Sequence, residues 1–127
     1  MISFEPGFEF YFSQTELYGG KIRYLPMIPP KGDSHAWTYD FDRLERTITD
    51  KTRVLLLNTP HNPTGKMLTE QEIKNFIQII RKHPNLIVFS DEVYEHMVYE
   101  GRKHLRFGMY EDMWDRTLSI YSPGKVY

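Results

Sequence analysis

The chain has 127 residues, of which 40% are hydrophobic and 26% charged, a composition typical of one globular domain or a piece of one. Its formal net charge is −1, so we predict no nucleic-acid partner and no membrane partner, because both favour a basic surface. There is no cysteine, which excludes disulfides and thiolate metal sites among these residues. The predicted location is the cytoplasm, with the mitochondrion as the alternative if a further N-terminal segment exists.

The first half of the sequence alternates between short apolar strands and helices. The predicted elements in chain order are the strand Ile2–Phe4, the helix Phe8–Tyr18, the strand Lys21–Pro26, a short helix after Asp40, and the strand Arg53–Leu57. The pair Gly19-Gly20 ends the first helix, since glycine accepts the left-handed conformation found at helix C-termini. The Asp40 side chain can cap the second helix, whose apolar residues share one face.

The second half contains the most strongly patterned helix. Thr69 and Glu72 stand three residues apart in Thr69-Glu70-Gln71-Glu72, the spacing of a capping box at a helix N-terminus. The apolar residues that follow recur at helical spacing and predict one buried stripe, formed by Ile73, Phe76, Ile77 and Ile80. Pro84 ends the helix. Two further buried strands are predicted, at Leu86–Phe89 and Thr117–Tyr121.

Apolar strands separated by amphipathic helices predict an α/β fold with a mostly parallel sheet and helices on both faces. Ligands of such sheets bind beyond the carboxyl ends of the strands. Polar residues follow three of the predicted strands: Asn62 after Arg53–Leu57, Asp91 after Leu86–Phe89, and Ser122 and Lys125 after Thr117–Tyr121. We therefore predict that one site lies at this edge of the sheet.

The residue types at this edge fit an aldehyde cofactor that carries a pyridine ring. The Lys125 amine can form a Schiff base and carry a proton, and the Asp91 carboxylate can pair with a pyridinium nitrogen. Asn62 and Tyr94 can both bond a phenolic oxygen. Ser122 can donate to a phosphate, and Phe8 can stack on a ring.

Each of these residues also has a purely structural interpretation. A lone lysine is usually a solvated surface charge, and an aspartate after a strand is often a cap. Tyr94 and Phe8 suit a hydrophobic core, Asn62-Pro63 suits a plain turn, and Ser122 suits a cap or the surface. The convergence of three motifs on one edge is what favours the site.

Two further groups of polar residues are interpreted without a catalytic role. Asp91-Glu92 and Glu111-Asp112 are expected to be solvated or capping carboxylates rather than a glycosidase pair. The five histidines show no metal-ligand spacing with acidic partners: His35, His61, His83, His96 and His104. We therefore predict no metal site.

Together, these motifs resemble the class I/II (fold type I) pyridoxal-phosphate-dependent aminotransferases. The most specific segments are Asn58-Thr59-Pro60-His61-Asn62-Pro63-Thr64-Gly65 and Ser90-Asp91-Glu92-Val93-Tyr94-Glu95-His96. The resemblance runs from Glu5 to Lys125. Within the family, the segments Val98–Gly101 and Met113–Leu118 are similar to the kynurenine aminotransferase/cysteine-S-conjugate β-lyase branch.

The resemblance implies a role for each candidate residue toward pyridoxal 5′-phosphate. Lys125 would anchor the cofactor covalently and later carry the proton of the substrate Cα. Asp91 would bind the pyridine nitrogen, and Asn62 and Tyr94 the phenolic oxygen. Ser122 would hold the phosphate and Phe8 would stack on the ring. The implied reaction is the reversible transfer of an amino group from an amino acid to a 2-oxo acid.

The resemblance also implies an architecture and leaves alternatives open. Residues 1–127 would be a partial large, cofactor-binding domain, with its N-terminal part and the small domain absent, from a family that forms homodimers. The family's arginine for the substrate α-carboxylate belongs to the small domain, so we expect the isolated segment to be inactive. The alternatives are a non-catalytic relic or interaction module and a pyridoxal-phosphate-dependent carbon–sulfur β-lyase.

Overall fold

In the computed structural model, which describes residues 1–32, 34 and 36–125, the described residues form a parallel five-stranded sheet. The strands in chain order are β1 (Ile2–Glu5), β2 (Arg23–Pro26), β3 (Val54–Asn58), β4 (Ile87–Asp91) and β5 (Thr117–Ile120). Their spatial order is β2-β1-β3-β4-β5. The predicted α/β class with a mostly parallel sheet is therefore confirmed.

The helices connect the strands as the sequence pattern predicts. They are α1 (Phe10–Leu17), α2 (Phe41–Thr47) and α3 (Glu70–Arg81), with 3₁₀ turns at Phe107–Met109, Glu111–Arg116 and Pro123–Lys125. Helix α1 begins at Phe10 rather than at the predicted Phe8. Within the described ranges, no helix combines the length and the apolar character needed to cross a membrane.

Two helix N-termini have the predicted caps. The Asp40 side chain accepts a hydrogen bond from the Arg43 backbone N–H at 2.8 Å and so begins α2. At α3, Thr69 Oγ1 accepts from the Glu72 backbone N–H at 3.2 Å, while the Thr69 N–H donates to Glu72 Oε2 at 2.9 Å. This reciprocal pair is the capping box expected from the sequence.

One face of the sheet, called here the covered face, carries the hydrophobic core. Because side chains alternate along a strand, Leu55, Leu57 and Val88 point to this face. They belong to one buried cluster with residues of α2, α3 and the 3₁₀ turns, which include Leu44, Ile73, Phe76, Ile80, Phe107 and Met113. All residues of the predicted apolar stripe of α3 are buried in this cluster.

The opposite face, called here the open face, carries Leu56, Phe89 and Leu118. Only α1 lies over it among the described helices, through a Phe12–Tyr24 ring contact of 6.2 Å and through Tyr11, whose hydroxyl reaches Asp91. Helices therefore lie on both faces, as predicted. However, α1 buries none of its own residues, and Leu118 remains 55% exposed.

Candidate active site

The carboxyl ends of β3, β4 and β5 meet at one edge of the sheet. The strand register aligns Asn58 with Asp91 and Asp91 with Ile120, so the last residues of three strands lie side by side. Asp91 is thus the final residue of β4, rather than a residue after a strand ending at Phe89. A cavity of about 300 Å³ opens at this edge on the open face, and its lining includes five predicted residues: Phe8, Asn62, Asp91, Tyr94 and Lys125.

The amine and the phenol of the predicted site contact each other. Lys125 Nζ donates a hydrogen bond to Tyr94 Oη at 3.1 Å and lies 4.9 Å from the centre of that ring. The 3₁₀ turn after β5 places the lysine, because the Lys125 N–H donates to the Ser122 carbonyl at 3.2 Å. Tyr94 lies in the turn that follows β4, where the Met97 N–H donates to its carbonyl at 2.8 Å.

The Asp91 carboxylate is buried and held by two donors. Its Oδ1 accepts from the Val93 backbone N–H at 3.1 Å, and its Oδ2 accepts from the Tyr11 hydroxyl. Burial, followed by the hydrogen bond to Asp91, raises the pKa of Tyr11 above its ordinary value, so Tyr11 stays a donor. A carboxylate offers about four lone-pair sites, so Asp91 can accept a further donor, such as a pyridinium N–H, from the cavity.

The loop that carries Asn62 is tied to β4 by the side chain of Asn58. Asn58 Oδ1 accepts from the Asn62 N–H at 2.7 Å, and Asn58 Nδ2 donates to the Asp91 carbonyl at 3.0 Å. The Gly65 N–H donates to the His61 carbonyl at 2.7 Å and so closes the loop. Gly65 has a φ of +70°, a conformation that favours glycine. This connection fixes Asn62 relative to Asp91.

His61 lies within this loop and is held neutral. Burial and the nearby Lys66 ammonium lower the pKa of His61 from 6.5 to about 4. One ring nitrogen, Nδ1, forms a 2.8 Å hydrogen bond with Thr64 Oγ1. The imidazole thus stabilises the loop through an internal hydrogen bond and carries no charge at neutral pH.

Phe8 forms an aromatic part of the cavity wall. The residue is 47% exposed, and its ring packs edge-to-face on Tyr11 at 5.8 Å. The preceding residue, Gly7, packs tightly against the end of β1. A Cβ at that position would lie 2.6 Å from the Phe4 carbonyl oxygen, so only glycine fits there without a shift. Phe8 therefore offers exposed aromatic surface to a ligand in the cavity.

Ser122 is the predicted residue that the cavity does not include among its lining residues. It is half-buried at the beginning of the 3₁₀ turn, where its carbonyl accepts from the Lys125 N–H. Its role toward a phosphate remains a prediction.

The cavity residues without a predicted role include Tyr11 and Asn58, which both bond to Asp91. Tyr11 stands three residues after Phe8, and that spacing is the signal for a shared wall. Asn58 is the polar residue that closes an apolar strand, which is the signal for a side chain at the functional edge.

The interpretation of Glu92 as a solvated or capping carboxylate is wrong, because the residue is fully buried. Its neighbour Asp91 points to the open face, so Glu92 turns toward the covered side, where Ser90 Oγ donates to it at 2.8 Å. Glu111 and Asp112 are exposed, as predicted, and pair with Arg81. Among the described residues, which exclude His35, no three or more acidic or histidine side chains are grouped to hold a metal ion.

Comparisons with known proteins indicate the same family as the sequence motifs. The family model described as "Aminotransferase class I and II" matches residues 1–127. A kynurenine–oxoglutarate transaminase of Dictyostelium discoideum is 35% identical over all of this chain and 32% of its own length. The N-succinyldiaminopimelate aminotransferase structure from Mycobacterium tuberculosis has a TM-score of 0.90 at 34% identity, covering 99% of this chain and 32% of that one.

A third comparison involves a structure that holds a cofactor. Cystalysin from Treponema denticola, described as containing pyridoxal 5′-phosphate, has a TM-score of 0.89 at 26% identity. The match covers 99% of this chain and 32% of cystalysin. The chain thus spans about a third of the length of the curated relatives it matches, 30% and 32% for the first two.

Proposed function

Since this chain belongs to the aminotransferase class I and II family, we propose that it is part of the large, cofactor-binding domain of a pyridoxal-phosphate-dependent aminotransferase. The reaction is the transfer of an amino group between an amino acid and a 2-oxo acid. The observation that carries the proposal is one cavity lined by Lys125, Asp91, Tyr94 and Asn62. These side chains match the aldehyde, the ring nitrogen and the phenolic oxygen of the cofactor.

Each residue has a distinct task in this proposal. Pyridoxal phosphate, when bound, supplies a protonated ring that withdraws electrons from the substrate Cα. Asp91 holds the proton on the ring nitrogen, and Tyr94 and Asn62 bond the phenolic oxygen. Lys125 binds the cofactor covalently and afterwards moves the proton of the substrate Cα. Phe8 covers one ring face, and Ser122 donates to the phosphate.

The test of the proposal is covalent trapping. The 127-residue protein is mixed with pyridoxal phosphate and reduced with borohydride, and the modified peptide is identified by mass spectrometry. We expect modification at Lys125, lost in Lys125→Ala and retained in Lys74→Ala, because Lys74 is exposed on α3 and is not among the residues that line the cavity. Equal labelling of all exposed lysines would contradict the proposal.

For substrates we propose kynurenine as amino donor and 2-oxoglutarate as acceptor, on the strength of the name carried by the Dictyostelium relative. The carbon–sulfur β-lyase alternative would use the same cofactor-binding residues. Product analysis on the full-length protein separates the two, since a transaminase forms a new amino acid and a lyase forms pyruvate and ammonia.

The 127 residues alone are expected not to transaminate. Two observations support this expectation: the chain spans about a third of its relatives, and the open face exposes apolar side chains such as Ile87 and Leu118. Turnover of an amino acid with 2-oxoglutarate by this segment, abolished by Lys125→Ala, would contradict the expectation and would also argue against a non-catalytic relic.

A homodimer is part of the proposal. Support comes from the exposed apolar side chains on and next to α1: the helix buries none of its residues, and Phe10, Leu17 and the following Tyr18 are exposed. Sedimentation analysis of the full-length protein tests it, and a monomer at micromolar concentration would contradict it. We keep the cytoplasm as the proposed location, to be tested by cell fractionation.

A further inference from the structure

A buried polar cluster lies behind the cavity, on the covered side of the sheet. Its centre is Glu92, whose Oε1 accepts from Ser90 Oγ at 2.8 Å and from Ser119 Oγ at 3.4 Å. The Glu92 backbone N–H also donates to the Ile120 carbonyl at 2.9 Å. One residue thereby joins the ends of β4 and β5, the strands that lead to Asp91 and Lys125.

The second carboxylate oxygen of Glu92 is bonded to a histidine from the following loop. His104 Nε2 lies 2.7 Å from Glu92 Oε2, and the His104 side chain is only 7% exposed. The other ring nitrogen, Nδ1, is buried and forms no hydrogen bond within the described residues. Within that part of the chain, the bond to Glu92 is therefore the polar contact that orients the ring.

A buried carboxylate is an unusual group on the covered side of the sheet. Burying a carboxylate is unfavourable unless directional hydrogen bonds replace its water, and an apolar side chain would fill the same volume at no such cost. What the carboxylate provides is direction, because three side-chain partners on β4, β5 and the loop must all meet two oxygen atoms. The arrangement thus fixes the relative position of these segments.

Glu92 directly follows Asp91, so the hydrogen bonds that hold Glu92 also restrain the backbone that carries Asp91. The two residues are adjacent and point to opposite faces, and the Val93 N–H directly after them donates to Asp91 Oδ1. We propose that Glu92 and His104 form a positioning pair that aims Asp91 at the ring nitrogen of the cofactor. The inference rests on the proposed function of Asp91.

Three variants isolate the role of the pair. His104→Leu removes the bond to Glu92, whereas His104→Gln keeps an N–H donor at a similar reach and should restore it. His96→Leu is the matched control, because His96 belongs to the same loop, also neighbours a glutamate (Glu95, 3.5 Å) and is 60% exposed. All variants are compared at a temperature at which circular dichroism shows them folded.

The measurement is the dissociation constant of two ligands, pyridoxal phosphate and 1-deazapyridoxal phosphate, which has a C–H in place of the ring nitrogen. We expect His104→Leu to weaken binding of pyridoxal phosphate by roughly tenfold, the size of effect that loss of an orienting partner has at metal sites, and binding of the deaza analogue by less than about twofold. His104→Gln should recover most of the affinity, and His96→Leu should change neither constant.

Two outcomes overturn the inference while the proposed function stands. One is an equal loss of both ligands in His104→Leu, which would show a merely structural role, and the other is no loss of either. Failure of the unsubstituted protein to bind pyridoxal phosphate would instead overturn the proposed function, and this inference with it.

Hydrogen exchange provides a second readout that needs no ligand. If the pair holds the segment after β4, the Val93 amide should exchange faster in His104→Leu, by roughly tenfold, and at the original rate in His104→Gln. An unchanged rate in His104→Leu would count against the proposal even if the protein binds the cofactor.

Discussion

The two faces of the sheet differ in what their side chains contribute. On the covered face, Phe76 and Leu55 are completely buried, whereas on the open face Leu118 is exposed and Phe8 forms a cavity wall. The covered face therefore carries the stability of these residues, and the open face carries the cavity. The candidate site can therefore be altered without removing the core, and substitutions on the covered face should cost more stability than those on the open face.

The largest expected effect is on the covered face. Phe76→Ala should lower the free energy of unfolding by about 3–5 kcal/mol, because it removes a buried ring that contacts Phe4, Tyr39 and Phe41. Phe8→Ala, its counterpart on the open face, should cost about 1 kcal/mol or less. Urea denaturation followed by circular dichroism measures both. Equal losses would show that the faces do not differ in this way.

The loop that carries His61 and Asn62 should make stability depend on pH. The pKa of His61 is about 4 in the folded chain and about 6.5 when unfolded, so the unfolded chain binds more protons between these values. The contribution of neutral His61 to the free energy of unfolding is fully present above pH 6.5. It is lost as the pH falls toward 4, by about 3 kcal/mol in total. Urea midpoints measured from pH 7 to pH 4 test this.

His61→Gln supplies the control for the pH series. It removes the titrating group, so the free energy of unfolding should fall less steeply below pH 6.5 than in the unsubstituted protein. The same slope in both proteins would exclude His61 as the source.

A smaller effect is expected at the N-terminus of α3. Thr69→Ala removes the acceptor for the Glu72 N–H and should lower the free energy of unfolding by about 1 kcal/mol. Thr69→Ser retains a hydroxyl and should lose only a fraction of that. A thermal shift that is identical for the alanine and serine variants would mean that the capping hydrogen bond contributes nothing.

The smallest effect is expected on the open face. Leu118→Thr should change the free energy of unfolding by no more than about 0.5 kcal/mol, because the side chain is largely exposed and threonine suits a strand. The matched change on the covered face, Leu57→Thr, should cost several times more. A large loss from Leu118→Thr would indicate that something covers this face in solution.

The sequence predicted those features that depend on local pattern. The capping box of α3, its apolar stripe and the order of strands and helices follow from spacing alone, and the structure confirms them. The predicted ends of β3 and β4 were less accurate. Asn58 and Asp91 are polar and resemble loop residues in the sequence, but both pair in the sheet. Polar residues at a functional edge break the apolar pattern that marks a strand.

The candidate site was predicted only in part, since some of its contacts join residues far apart in the chain. Phe8, Asn62, Asp91, Tyr94 and Lys125 meet at the cavity because parallel strands bring their carboxyl ends together. The bond from Tyr11 to Asp91 spans 80 positions, which periodicity cannot show. Likewise, nothing local in Asp91-Glu92 reveals that one carboxylate faces the cavity and the other is buried behind it.

The opposite facing of Asp91 and Glu92 has a consequence for insertions and deletions. Adding or deleting one residue inside Ile87–Asp91 would exchange the two carboxylates between the faces, because side-chain direction repeats every two residues. The exposed Tyr99–Arg102 turn, with Gly101 at a φ of +69°, has no such alternation to disturb. Length variation among natural or evolved versions of this chain should therefore collect in the turn and be absent from β4.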